Sequence, residues 1–185
     1  HSFPTRRSSD LDYVEALAAF NDFEMDVAQR LIRNAVVMLS YTKEHDWAYL
    51  ALELQARIHY FKGELAEAVA AYEKAAEFGK KHNLPSEDGA IYMHRAQVNL
   101  QWGQPQAALT VLDEIPEPGL YSAMDFAVLD EVRSSACLKL YRYADALSVA
   151  ERAEAILVEN NPRSFVLGKV LETKGRAQLA MGSFD

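Results

Sequence analysis

Cysteine is almost missing from this chain of 185 residues: Cys137 stands alone. A single thiol excludes an internal disulfide framework and a cysteine-rich zinc site, and it is compatible with a reducing compartment. Long apolar runs are missing too; Ala35-Val36-Val37-Met38-Leu39 is far short of the eighteen or so residues of a membrane span. Positive charge is in deficit, with 19 Lys and Arg against 27 Asp and Glu, a formal net charge of −8. Residues 1–11 hold two arginines and one aspartate, so the remainder is more acidic still. That field disfavours direct binding of nucleic acid or an anionic membrane. The eight glycines are scattered and never form a phosphate-cradling loop.

No catalytic constellation is legible. His45, His59, His82 and His94 include no pair three or four apart with a carboxylate to make a metal-binding helix face. His59 and His94 are read as packed or hydrogen-bonded rather than as a ligand pair, and Cys137 as a buried structural thiol. The carboxylates Asp113-Glu114 and Asp130-Glu131 are read as solvated charge, because adjacent residues on a helix point in different directions. No metal, cofactor or enzymatic activity is expected of this segment. Trp47 is expected in the core, and Trp102 beside an inter-helix contact.

What is present is helical periodicity with punctuation. Hydrophobic residues make up 50% and charged residues 25%, enough apolar surface for a sizeable core. Gly63, Gly103, Tyr141 and Gly182 recur about every forty residues, and five residues after the first three stand Ala68, Ala108 and Ala146. With Ala28, the alanines step by 40, 40 and 38 residues, the signature of stacked helix pairs. Trp47, Leu50, Ala51, Leu54, Ile58 and Phe61 place one side of a helix over about 46–62. Leu65, Ala68, Val69, Tyr72, Ala75 and Ala76 continue a second to about Gly79. Small residues at Ala68 and Ala75 permit close approach, with Tyr72 filling the space between.

The later units repeat the plan. Ser86 is expected to cap a helix bearing Ile91, Ala96, Val98 and Leu100, and Gly103-Gln104-Pro105 turns into a second helix with Ala108, Val111, Leu112 and Ile115. Pro116, Pro118 and Gly119 stop that helix early. Tyr121–Asn160 forms the fourth unit, with Ala146, Ala150 and Ala153 on its second helix. Val166, Val170, Leu171, Ala177 and Leu179 make the first helix of a fifth apolar. Leaving such side chains in water forfeits roughly 1.5–3 kcal/mol each, so this end is expected to fray or self-associate. The expected units are 12–44, 45–84, 85–120, 121–160 and a truncated 161–185. Residues 1–11, His1 to Leu11, look like the translation of a sequencing-library adapter and are set aside as non-native. The first helix of the first unit is then expected only over about Asp12 to Phe20, and the chain is read as a fragment of a longer frame.

Each unit resembles the tetratricopeptide repeat, whose first helix ends near a glycine and whose second carries an alanine, a large residue four on, and another alanine three beyond. Ala68-Tyr72-Ala75 matches in full; Ala28-Ile32-Ala35, Ala108-Leu112-Ile115 and Ala146-Ala150-Ala153 match in part. Gly175, seven before Gly182, stands where that family has a small residue. The period is longer than the family's usual one and resembles the variant in bacterial regulators related to the maltose-operon activator. The resemblance implies an all-α, right-handed solenoid of antiparallel helix pairs whose first helices line a concave groove.

Carried over by register, the groove-facing candidates are Glu53, Arg57, Tyr60 and Phe61; Met93, Gln97, Leu100 and Gln101; Glu131, Ser135, Leu138 and Lys139; and Glu172 and Arg176. Amide, charge and aromatic together suit an extended peptide or short helix; the competing reading is an ordinary solvated face. A chaperone-carboxylate clamp wants lysine and asparagine where Glu53 and Arg57 stand, so chaperone binding is not expected. The resemblance implies a non-catalytic module in the cytoplasm, holding protein, peptide or a small effector. It would act as the interaction or sensing arm of a bacterial regulatory or signalling protein, or alternatively as a stand-alone adaptor.

Overall fold

Among the described residues six turn the backbone left-handed, and five of them are spaced 40, 40, 38 and 41 residues apart: Phe23 (φ 61°), Gly63 (77°), Gly103 (81°), Tyr141 (60°) and Gly182 (70°), with Asn83 (49°) outside the series. The first four of the series share one hydrogen-bond pattern. The left-handed residue donates to the carbonyl three before it, and the next residue reaches five back: Glu24 to Ala19 (2.8 Å), Glu64 to His59 (3.0 Å), Gln104 to Asn99 (2.8 Å) and Arg142 to Cys137 (2.9 Å). That same residue opens the following helix. Its carbonyl accepts from Ala28, Ala68, Ala108 and Ala146 in turn, at 2.9–3.1 Å. The recurrent alanines therefore mark the first closed turn of each second helix.

This is a computed structural model, and it describes residues 6–84, 90–115 and 122–182. Among the described residues the elements are α1 (Arg6–Asn21), α2 (Met25–Leu39), α3 (His45–Phe61), α4 (Leu65–Lys81), α5 (Ala90–Gln101), α6 (Pro105–Asp113), α7 (Ala123–Lys139), α8 (Tyr143–Asn160) and α9 (Phe165–Met181). The odd-numbered helices are first helices and the even-numbered ones second helices. Pro105 sits at the start of α6, where its missing N–H costs nothing. Ser122 and Asp125 form a reciprocal capping box at the start of α7, and Ser164 caps α9. The expected cap Ser86, the breakers Pro116, Pro118 and Gly119, and Tyr121 and Asp185 lie outside the described residues. The helix α1 runs back to Arg6 instead of beginning near Asp12, so part of the segment set aside as adapter-like is helical.

The chain divides into two compact units, His1–Ser86 and Glu87–Asp185. In the first, α2 packs on both α1 and α3, and α3 on α4. Its core holds Ala16, Ala19 and Phe20 with Ala28, Ile32, Ala35 and Leu39, and Ala48, Ala51, Leu54 and Ile58. Alanines at the crossings bring helix axes close, and Tyr72 is enclosed beside the fully buried Ala68 and Ala75. Gly79 lies beneath the Tyr49 ring, where an added Cβ would stand 2.9 Å from Tyr49 Cε2. Leu50, expected on the apolar side, is exposed: Ala48, Leu52 and Ala56 make a second buried strip on α3, and the contact side is set by closeness of approach rather than by side-chain size.

A polar latch joins three helices of this unit. Lys62 Nζ donates to Asp26 Oδ1 (2.9 Å) and Gln29 Oε1 (2.7 Å), Gln29 Nε2 donates to Glu64 Oε2 (3.2 Å), and His59 Nδ1 lies 2.6 Å from that same oxygen. The turn at Gly63 is thereby tied to the start of α2.

In the second unit α5 packs on α6, α7 on α8, α8 on α9, and the first helices α5, α7 and α9 meet in succession. Buried Ala96, Ala108, Leu112, Val132, Ala136 and Ala146 lie in one cluster; Ala127, Ala150, Ala153, Leu157 and Val170 lie in another. Two ion pairs repeat at the same spacing from a first helix to the preceding second helix: Arg133 to Asp113 (2.8 Å) and Lys174 to Glu154 (2.7 Å). The carboxylates read as solvated charge are all engaged or buried. Glu114 pairs with Arg95, Asp130 accepts both Nε and Nη2 of Arg152 at 2.7 Å, and Asp130 and Glu131 are 8% and 6% exposed. The cause is that α7 touches α5, α6, α8 and α9, so even its polar side is covered. On α9 the buried side carries Leu167, Val170, Thr173 and Ala177, leaving Leu171 and Leu179 exposed. Gly175 is exposed with open space around its Cα, and the register residue Ala153 is fully buried.

Candidate ligand-binding surface

The left-handed turns set a common register, in which Glu53, Met93, Glu131 and Glu172 each stand ten residues before the turn and Arg57, Gln97, Ser135 and Arg176 six before. What occupies that register differs between the two units.

In the first unit Arg57, Tyr60 and Phe61 come together around Phe20 of α1. The Arg57 guanidinium lies over the Phe20 ring, 4.7 Å from its centroid. Phe61 meets Phe20 edge to face at 5.2 Å, and Tyr60 meets Phe61 at 5.5 Å. Phe61 remains 54% exposed. Such an assembly offers a flat apolar surface beside a planar set of donors, suited to an aromatic or carboxylate-bearing side chain. Glu53 is half-buried, and its charge reaches two neighbouring phenols. Burial raises the Tyr13 hydroxyl above its ordinary pKa, Glu53 raises it further, and Arg57 pulls it back; Tyr72 is raised in the same order of causes. Trp47 is half-buried against Tyr13, with ring centroids 5.4 Å apart. Tyr13 and Phe20 were missed by the sequence reading, although they stand forty residues before Glu53 and Tyr60 and so announce themselves by register.

In the second unit Met93, Leu100 and Leu138 pack partly into the core, Gln97 is half-buried, and Gln101 and Lys139 are exposed. Glu172 and Arg176 pair with one another at 3.3 Å in the open. Glu131 and Ser135 come together with a residue the sequence reading did not single out, Thr173 of α9. The Ser135 hydroxyl is 3.2 Å from Glu131 Oε1 and 3.3 Å from Thr173 Oγ1. Burial pushes the Glu131 carboxyl above the usual glutamate pKa, against the smaller pull of Lys169 and of the Ser135 hydrogen bond.

His59 is bonded to Glu64, and His45 stacks on His82 with centroids 3.8 Å apart, beside Phe78. Cys137 is buried, which raises its thiol pKa. Among the described residues no group of three or more His, Cys, Asp or Glu could hold a metal ion, and no helix is long and apolar enough to cross a membrane.

Helix pairs joined by one recurring turn define this as an all-α helical-repeat protein. No family model matches the chain, and no curated protein matches it. Solved structures do. The chain is similar to BtubC (BKLC) from P. vanneervenii, with 18% identity and a TM-score of 0.76 over 95% of this chain and 73% of that one. It is comparably similar to a putative kinesin light chain from Podosopora anserina with nearly identical TPR-like repeats, with 18% identity and a TM-score of 0.74 over 96% and 90%. YrrB, described as a TPR protein with an unusual peptide-binding site, aligns at 16% identity and a TM-score of 0.53 over 93% and 89%. The fold is thus of the tetratricopeptide-like kind.

Proposed function

We propose that this chain is a non-catalytic interaction module that holds an extended segment of another protein on its first helices. In this reading it works in the cytoplasm as the binding or effector-sensing arm of a larger bacterial regulator or signalling protein. The observation that carries the proposal is the group around Phe20: Arg57 is held in place over one ring while Phe61 beside it keeps more than half its surface open. A large apolar ring left exposed next to an oriented cation is the composition of an interface centre rather than of a solvated face. The similarity to YrrB adds a precedent within the same fold for peptide binding.

The test is to select binders from a random dodecapeptide library against the full chain and to measure the best by fluorescence anisotropy. Arg57→Ala and Phe61→Ala are each expected to weaken binding about tenfold or more, in line with hot-spot truncations. Selected peptides indifferent to both substitutions and to Glu131→Gln would refute the assignment of these surfaces. Failure to select any peptide would count against the reading as a whole.

A further inference from the structure

Five polar or charged side chains are buried in the second unit: Asn99, Asp130, Glu131, Ser134 and Thr173. Four of them have their needs met within the fold. Asn99 Nδ2 donates to the Arg95 carbonyl at 2.9 Å, Asp130 is clasped by Arg152, Ser134 Oγ donates to the Glu131 carbonyl at 2.9 Å, and Thr173 Oγ1 meets Ser135. Glu131 differs in lacking a counter-charge, although neither of its oxygens is both fully buried and unbonded; among the described residues that holds only for Arg95 Nε. The Glu131 side chain has one hydrogen bond, from a neutral hydroxyl on its own helix, and among the described residues no cation pairs with it. A carboxylate has room for about four hydrogen bonds, and burying one without a counter-charge costs free energy. The cation that most affects it, Lys169, sits one turn before Thr173 on α9, yet its ammonium lies over the Phe165 ring at 5.4 Å.

We infer that the seam between α7 and α9, formed by Glu131, Ser135 and Thr173, is a specificity pocket for a lysine or arginine side chain of the bound peptide. This rests on the peptide-binding reading above and names what the second unit would recognise. Three features select the occupant. The pocket presents a carboxylate and two hydroxyls, acceptors for an ammonium or guanidinium. The chain as a whole carries −8, which attracts a basic segment and repels an acidic one. Within this unit α7 lies against both of the other first helices, α5 and α9, so the seam falls among the helices on which the peptide is proposed to lie. Glu131 then lowers stability in the free protein and gains its partner on binding.

The experiment uses fluorescein-labelled penta-lysine, penta-alanine and penta-glutamate with the full chain, read by anisotropy at fixed ionic strength, alongside thermal unfolding. Glu159, exposed on α8, supplies a variant with the same change of charge. Penta-lysine is expected to bind best. Glu131→Gln should weaken it at least tenfold, the scale of a charged hydrogen bond, while raising Tm by about 2–4 °C; Glu159→Gln should leave binding within twofold. Glu131→Asp, which keeps the charge and shortens the reach, should fall between. Equal losses in Glu131→Gln and Glu159→Gln would show only the general acidic field and overturn the pocket. Preference for penta-alanine, or a preference for penta-glutamate that survives Arg57→Ala, would overturn it too, while leaving peptide binding intact. Binding of neither these probes nor any library peptide would sink both readings together.

Discussion

The left-handed turns allow a paired perturbation with opposite signs. At Gly63 the backbone has φ 77° and an added Cβ would meet nothing within 4 Å, so Gly63→Ala tests the backbone alone. Forcing an L-residue into this region costs about 1–2 kcal/mol. Alanine recovers about 0.4–1 kcal/mol by stiffening the unfolded chain, leaving a net loss of about 0.5–1.5 kcal/mol. Tyr141 already bears that strain at φ 60°, and its ring is exposed apart from an edge contact with Tyr143 at 6.2 Å. Relief of the same strain in Tyr141→Gly is opposed by the added freedom of the unfolded chain and by the lost contact, so a smaller stabilisation of at most about 1 kcal/mol is expected. Thermal and urea unfolding followed by circular dichroism would show Tm moving a few degrees down for the first variant and up for the second. Amide exchange at Glu64 and Arg142, the donors that close these turns, supplies the local readout. A harmless Gly63→Ala, or a Tyr141→Gly that lowers Tm, would refute the account of the turns as strained, repeated hinges.

Three further outcomes follow from buried groups. Ala68 is fully enclosed, so Ala68→Leu should overpack the α3–α4 contact and cost roughly 1–3 kcal/mol in urea unfolding; an unchanged midpoint would place that alanine elsewhere. Desolvation, His45 and Lys81 together hold His82 below the ordinary imidazole pKa of about 6.5. Below that value the unfolded chain binds the proton first, so the stability difference between wild type and His82→Gln should shrink as pH falls from about 7 through the folded pKa. A difference flat across that range would argue against the depressed His82. Burial also raises the Cys137 thiol and hides it, so a disulfide reagent at pH 8 should label the native chain about a hundredfold more slowly than the urea-unfolded chain. Equal rates would mean that the second unit opens readily.

The repeat was legible because its marks are set locally: glycine at a left-handed turn and alanine at a crossing. Phe23 escaped notice because it is an aromatic residue performing a glycine's task, and only the forty-residue step to Gly63 gives it away. The surface was less legible because burial depends on how many helices surround a position. Leu50, Leu171 and Leu179 look like core residues and lie outside it, whereas Asp130 and Glu131 look solvated and lie inside. Periodicity reports one apolar side of a helix, but a first helix between neighbours is covered on several sides, and small residues take the tightest of them. Thr173 and Lys169 became visible only when α9 was laid against α7.

The turn within each pair and the link between pairs have different tolerances for length. Phe23, Gly63, Gly103 and Tyr141 enforce one short connection, because the residue after the left-handed one both closes the preceding helix and opens the next. Links from a second helix to the following first helix vary in length, five residues between α2 and α3 and four between α8 and α9, although Asn83 and Leu84 close α4 with the same pattern of hydrogen bonds. The nine-residue α6 beside the eighteen-residue α8 shows that second helices also vary in extent. Insertions and deletions in the ancestry of such a chain would thus accumulate on one side of the repeat, letting the period drift between 38 and 41 while the hinge stays constant.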